Sequence, residues 1–151
     1  LEAPPGAWLV LGTGGAARAV VGAARERGVA VSVSSRSADR RRRFEEWTAS
    51  QGVRVAEPAG CTVVINTTPL GLAPGDPLPL DRPPMAAAVA LDMVYLGGET
   101  PWVQVMRAAG LRAADGRSML VAQGAAALER WFPGARAPVE VMRAALDARL
   151  R

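Results

Sequence analysis

Gly12-Thr13-Gly14-Gly15-Ala16-Ala17 is a run of small residues with the spacing G-x-G-x-x-A. It stands between an apolar run, Ala7 to Leu11, and a helical pattern from Ala16 to Arg27. In a strand–turn–helix setting each small residue has a mechanical job. Gly12 permits the tight turn, Gly14 lets the backbone approach a pyrophosphate, and Ala17 allows the helix to pack closely on the strand. Gly15 and Ala16 fall at the helix start, where free N–H groups and the positive end of the helix dipole attract phosphate oxygens. The spacing predicts a dinucleotide pyrophosphate site; outside that setting the same run is only a glycine-rich turn.

The end of the second apolar run bears on which dinucleotide. A carboxylate there would bind ribose hydroxyls, but the residues are Ser34-Ser35-Arg36-Ser37. Arg36 can pair with a 2′-phosphate instead, and Arg40, one helical turn on, can join it. This favours NADP over NAD. Arg41, Arg42 and Arg43 read as a solvated face, with Arg41–Glu45 and Arg42–Glu46 as i,i+4 pairs. Further polar and small residues follow later strands: Asn66-Thr67-Thr68, then Asp92 to Tyr95, then Asp115-Gly116, with Met119 and Gln123 in the helix beyond. Each has a bland reading, as a turn cap, a boundary aromatic, core filler or an exposed amide. Their shared place after strands argues for a common site, because ligands of open parallel sheets sit beyond the strands' carboxyl ends.

Absences limit the chemistry. All 18 basic residues are arginine, and there is no histidine. Histidine and lysine are the usual tunable proton donors, whereas arginine stays charged. No catalytic residue is assigned within the chain, and a proton donor is expected outside it. One cysteine, Cys61, allows no internal disulfide and reads as a small buried hydrophobe in a reducing cytoplasm. No metal site is expected. The net charge of +4 suits an anionic cofactor. Nucleic acid is not expected as a partner, since few aromatics lie near the arginine run and no reader motif is present. No apolar run would span a bilayer, and Leu1 to Gly6 does not read as a signal peptide.

The elements that must position these residues alternate. Strands are predicted at Ala7 to Leu11, Val29 to Ser34, Val53 to Val55, Thr62 to Ile65, Val89 to Leu91 and Leu111 to Ala114. The first helix is expected to turn Ala16, Ala19, Val20, Ala23 and Ala24 to the core. A polar-faced helix runs from Ala38 to about Ser50. Thr100-Pro101 reads as an N-cap followed by proline at the first helical position, with the helix ending near Gly110. Two more helices cover Ser118 to Trp131 and Pro138 to Leu150, and Pro69 to Pro84 reads as a loop. The alternation predicts an α/β fold, a Rossmann-like doubly wound, mostly parallel sheet with helices on both faces. The length suits one domain.

These strings together resemble the shikimate dehydrogenase family. Gly12 to Ala17 resembles its glycine loop, and Ser35-Arg36-Ser37-Ala38-Asp39-Arg40 its N-R-T-x-x-R motif. Asn66-Thr67-Thr68-Pro69-Leu70-Gly71 is similar to its N-A-T-S/P-x-G loop, and Asp92 to Tyr95 with Glu99-Thr100-Pro101 to its D-x-x-Y…T-P. Asp115 to Gln123 resembles D-G-x-G-M-L-x-x-Q, the most specific of the set. The resemblance runs from about Trp8 to Leu146. It implies an NADP-binding domain of an enzyme that reversibly reduces 3-dehydroshikimate to shikimate with NADPH, on the route to aromatic amino acids. By that resemblance Gly14 to Ala17 hold the pyrophosphate, Arg36 and Arg40 the 2′-phosphate, and Ser37 is a further cofactor-binding residue. Asn66 and Thr67 belong to the cofactor loop, and Thr68, Gly116 and Met119 line the nicotinamide side. Tyr95 and Gln123 face the substrate, Gln123 through a hydrogen bond to a ring hydroxyl.

The family's catalytic Lys and Asp, and the serines that bind the substrate carboxylate, lie in an N-terminal domain without counterpart here. The resemblance thus implies that residues 1–151 are an NADP-binding domain that binds NADP without turnover. The last helix, 138–151, would pack on the absent domain, leaving Val139, Met142 and Leu146 exposed or covered by a second copy in a homodimer. Three residues depart from the family pattern. Ser35 replaces Asn, and Gly97, followed by Gly98, replaces a proline and is expected to loosen its loop. Ser118 replaces a glycine, reads as an N-cap, and adds bulk beside the nicotinamide. Alternative readings are a quinate/shikimate dehydrogenase paralogue, a glutamyl-tRNA reductase-like nucleotide domain, and a non-catalytic NADP-sensing module.

Overall fold

The computed structural model describes residues 2–150. Among them, five strands form one sheet: β1 (Ala7–Leu11), β2 (Val31–Ser34), β3 (Cys61–Asn66), β4 (Val89–Asp92) and β5 (Arg112–Ala114). The order is β2-β1-β3-β4-β5, and every neighbouring pair is parallel. Parallel neighbours need crossovers, which α1 (Gly15–Glu26), α2 (Ala38–Ser50), α3 (Pro101–Ala108) and the long loop after β3 provide. Then α4 (Arg117–Trp131) and α5 (Val139–Arg149) close the described chain.

The strand expected at Val53 to Val55 is reduced to one bridge. Val31 donates its N–H to the Arg54 carbonyl and accepts from Ala56 N–H, both at 2.9 Å, so that Val55 pairs with Val31 alone. Pro58, which has no N–H for a ladder, then opens a short 3-10 turn at Pro58–Gly60. With that bridge counted as a residual outer strand, the order becomes the doubly wound 3-2-1-4-5-6.

Successive residues of β1 alternate between two apolar layers, as the period of a strand requires. Trp8 and Val10 join Val20, Val21, Val33 and Phe44 under α1 and α2. Leu9 and Leu11 join Val64, Ala90, Trp102 and Met106 under α3. The buried stripe of α1 is Ala17, Val20, Val21 and Ala24, whereas Ala16 and Ala19 are exposed. The expected face is therefore rotated by one residue, because Ala17 is the position that meets the sheet.

Thr100 caps α3 as expected, its Oγ1 accepting from Val103 N–H at 3.2 Å, and Pro101 follows at the first turn. The loop from Pro69 to Pro84 has no regular element; Trp102 Nε1 donates to the Leu80 carbonyl at 3.0 Å and holds it. α4 begins at Arg117 with Gly116 at its cap, so Ser118 lies inside the helix and does not cap it. α5 contains no buried residue; Met142, Leu146 and Leu150 are half-buried and Val141 is 66% exposed. No helix among the described residues is long and apolar enough to cross a membrane.

Candidate functional site

The carboxyl ends of β1 and β3 lie side by side, with Leu11 opposite Asn66, where the strand order reverses. The glycine loop occupies that point. Gly12 has φ +109° and donates to the Ser34 carbonyl at 2.8 Å. A β-carbon there would also come within 2.8 Å of Thr67 Oγ1. Gly14 is the cap residue of α1, with no side-chain cap and no acidic residue in the first turn. The first-turn N–H groups therefore have no intrahelical acceptor. No protein atom lies where a β-carbon on Gly14 or Gly15 would meet it, so the space above the helix start is open.

α2 begins beside this loop. Ser37 Oγ accepts from Arg40 N–H, and Ser35 Oγ from Ser37 N–H, both at 3.3 Å. Arg36 and Arg40 are exposed and join no ion pair among the described residues. Their neighbours do. Arg41 pairs with Glu45 at 3.8 Å, and Arg42 and Arg43 both reach Asp39 at 2.9 Å. The expected Arg42–Glu46 pair is replaced because Asp39, in the first turn of α2, lies within reach of both arginines.

A cleft of about 790 Å³ brings together Gly12, Gly14, Arg36, Ser37, Arg40, Thr67 and Thr68. Gly15, Ala16 and Ala17 continue from it into α1. Arg18, Arg43 and Trp47 line it as well, and sequence reasoning missed them. The spacing of Arg40, Arg43, Phe44 and Trp47, one stripe of α2, carried a signal; nothing near Arg18 in sequence points to α2.

Asn66 lies beneath the cleft and is fully buried. Its Oδ1 accepts from Thr68 N–H at 3.0 Å and Thr68 Oγ1 at 2.7 Å, while its Nδ2 donates to Asp92 Oδ1 at 2.8 Å. Thr67 donates from both N and Oγ1 to the Leu11 carbonyl, at 3.0 and 2.6 Å. The loop after β3 is thus tied to both neighbouring strand ends. Asp92, itself fully buried, also accepts from Val94 N–H at 3.0 Å and Thr100 Oγ1 at 2.7 Å. Burial pushes its carboxyl above the ordinary range; these hydrogen bonds oppose the rise and Asp115 adds to it.

Tyr95, Gly116, Met119 and Gln123 do not line this cleft; they sit on the loops after β4 and β5 and in the first two turns of α4. Tyr95 and Met119 are half-buried and Gln123 is exposed. Asp115 accepts from Arg117 Nε at 2.8 Å and holds the guanidinium at the start of α4, which raises the arginine's pKa further. Gly116 fits flush against Met93, where a β-carbon would fall 2.9 Å from the carbonyl carbon. Two departures from the family pattern meet α5. Ser118 Oγ accepts from Arg143 at 3.2 Å, and Gly97 lies against the Leu150 carbonyl. Gly97 is itself exposed, and a β-carbon on it would meet that carbonyl.

A helix start without a competing acid, sharing a cleft with two guanidiniums that have no ion-pair partner among the described residues, is a donor set suited to a doubly phosphorylated anion. Fold and site define a Rossmann-like domain with a glycine loop at its switch point. The family model for the shikimate 5′-dehydrogenase C-terminal domain matches residues 116–146. A shikimate dehydrogenase (NADP(+)) of Rhodopseudomonas palustris, strain BisB5, is 39% identical over 151 aligned positions, covering 94% of this chain and 53% of the relative. A crystal structure of Thermus thermophilus shikimate 5-dehydrogenase with shikimate superimposes with a TM-score of 0.79 at 34% identity, covering 97% of this chain and 55% of that one. One of the same enzyme with NADP(H) and shikimate gives 0.76 at 33%, covering 97% and 56%. By sequence and by fold the chain is similar to shikimate dehydrogenases over 94% or more of its length, and the family model covers residues 116–146 of it. It spans about half the length of these relatives.

Proposed function

We propose that this chain is the NADP(H)-binding domain of a shikimate dehydrogenase. The observation that carries the reading is the pair Arg36 and Arg40, without an ion-pair partner among the described residues, where an NAD site would place a carboxylate, in one cleft with an uncapped helix start. In this reading the first turn of α1, Gly14 to Ala17, takes the pyrophosphate, and Arg36, Ser37 and Arg40 take the 2′-phosphate. Thr68, Gly116 and Met119 line the nicotinamide side. Asn66 acts from below, by fixing Thr68. Tyr95 and Gln123 face the substrate.

The proposed reaction of the whole protein is reduction of 3-dehydroshikimate to shikimate, for which NADPH supplies the hydride. The 151 residues hold no lysine or histidine to move the accompanying proton. That role is assigned to the part of the relatives which this chain does not match. α5 packs on α4 through Met142, which lies against Gly124, and is proposed to face that part with its exposed side, which carries Val141.

Isothermal titration of the chain with NADP and NAD tests the cofactor reading. Tighter binding of NADP is expected, and a preference for NAD overturns it. Turnover of 3-dehydroshikimate by the 151-residue chain alone would overturn the division of labour.

A further inference from the structure

Arg18 is a cleft residue that neither the glycine loop nor the Arg36–Arg40 pair explains. It is the fourth residue of α1, and its guanidinium carbon lies 5.2 Å from the centre of the Trp47 ring on α2. Phe44 backs that indole, with ring centres 5.2 Å apart. The contact holds the Arg18 charge on the cleft wall by cation–π attraction. No ion pair among the described residues takes Arg18, Arg36 or Arg40, whereas Asp39 compensates Arg43. Three uncompensated guanidiniums thus line one cleft. Like charges gathered on one cleft raise its positive potential and favour the binding of an anion. The helix start of α1 already suits a pyrophosphate, so the surplus of positive charge between α1 and α2 points to a second phosphate group.

We infer that Arg18 is a third arginine of the phosphomonoester subsite and helps set the preference for a dinucleotide carrying a 2′-phosphate, with Trp47 as its positioning residue. The inference rests on the NADP reading above and extends it to residues outside the two motifs.

The test is titration of the whole chain and its R18Q, W47F and W47L variants with NADP, NAD and adenosine 2′,5′-bisphosphate. Gln keeps the reach and hydrogen bonding of Arg18 without its charge. R18Q should weaken NADP and adenosine 2′,5′-bisphosphate by roughly ten-fold or more, the loss expected for one charged hydrogen bond. NAD should change by less than about two-fold. W47F, which keeps an aromatic face, should retain most of the NADP preference, and W47L should lose part of it. Adding W47L to R18Q should then cost little more, because the two act as a unit. Equal weakening of NADP and NAD by R18Q would put Arg18 on the shared pyrophosphate and overturn the inference. So would an R18Q chain that binds like wild type, and that result would leave the cofactor reading standing. A wild-type chain without NADP preference removes both.

Discussion

A β-carbon on Gly116 would press into the backbone carbonyl of Met93, which cannot swing aside as a side chain could. The D-G of the D-G-x-G-M-L-x-x-Q string therefore has a packing reason within this chain. Gly116→Ala should destabilise the fold by about 1–3 kcal/mol, the usual cost of overpacking, read as a shift in the urea midpoint. Gly14 is different, since a β-carbon there meets no protein atom. What it leaves free is space for a ligand. Arg36→Ala should cost roughly 1.5–3 kcal/mol of NADP affinity if its charged hydrogen bonds form. NAD affinity should hardly move, and calorimetry of both ligands separates the outcomes.

At the scale of elements, Asp92 joins the end of β3 through Asn66 to the start of α3 through Thr100. Burial lifts its folded-state pKa above the ordinary 3.8, so the folded chain holds this proton more tightly than the unfolded chain. Its contribution to stability is then fully present below the unfolded value and is lost as pH rises through the folded value. The unfolding free energy of wild type relative to Asp92→Asn should fall as pH rises across that window. Urea titrations at several pH values check it; a difference that ignores pH would mean that the carboxyl does not titrate there. This network was not legible in the sequence, because its members are 26 and 8 residues apart and only the folded sheet joins them. Local signals fared better. Ala7–Leu11 and Ala38–Ser50 fall at the expected bounds, and Thr100-Pro101 opens α3. What failed locally was settled by tertiary contact: Ala17, not Ala16, meets the sheet, and Val55 finds one bridge before the chain turns at Pro58.

At the scale of the whole molecule, two kinds of residue converge at one end of the sheet. The glycine loop, Arg36, Ser37, Arg40, Thr67 and Thr68 share a cleft, and their motifs were readable because glycine spacing and a missing carboxylate are local facts. The residues after β4 and β5 stand apart from that cleft, around the start of α4, and the signals for them were their place after strands and their resemblance to a family string. α5 reaches the same place, through Arg143 on Ser118 and the Leu150 carbonyl on Gly97. The two residues that depart from the family pattern there are therefore joined to the last helix.

The uncompensated arginines also bear on the choice of buffer. Inorganic phosphate or sulfate is expected to occupy the proposed phosphate site, whereas chloride only screens it. A divalent oxyanion at ten times its dissociation constant would add about 1.4 kcal/mol to the stability of the ligand-free chain. Its melting temperature should therefore climb in phosphate above that in chloride of equal ionic strength, while apparent dinucleotide affinity declines by competition. Assays run in such buffers would make the domain look sturdier and its grip weaker than either is in their absence.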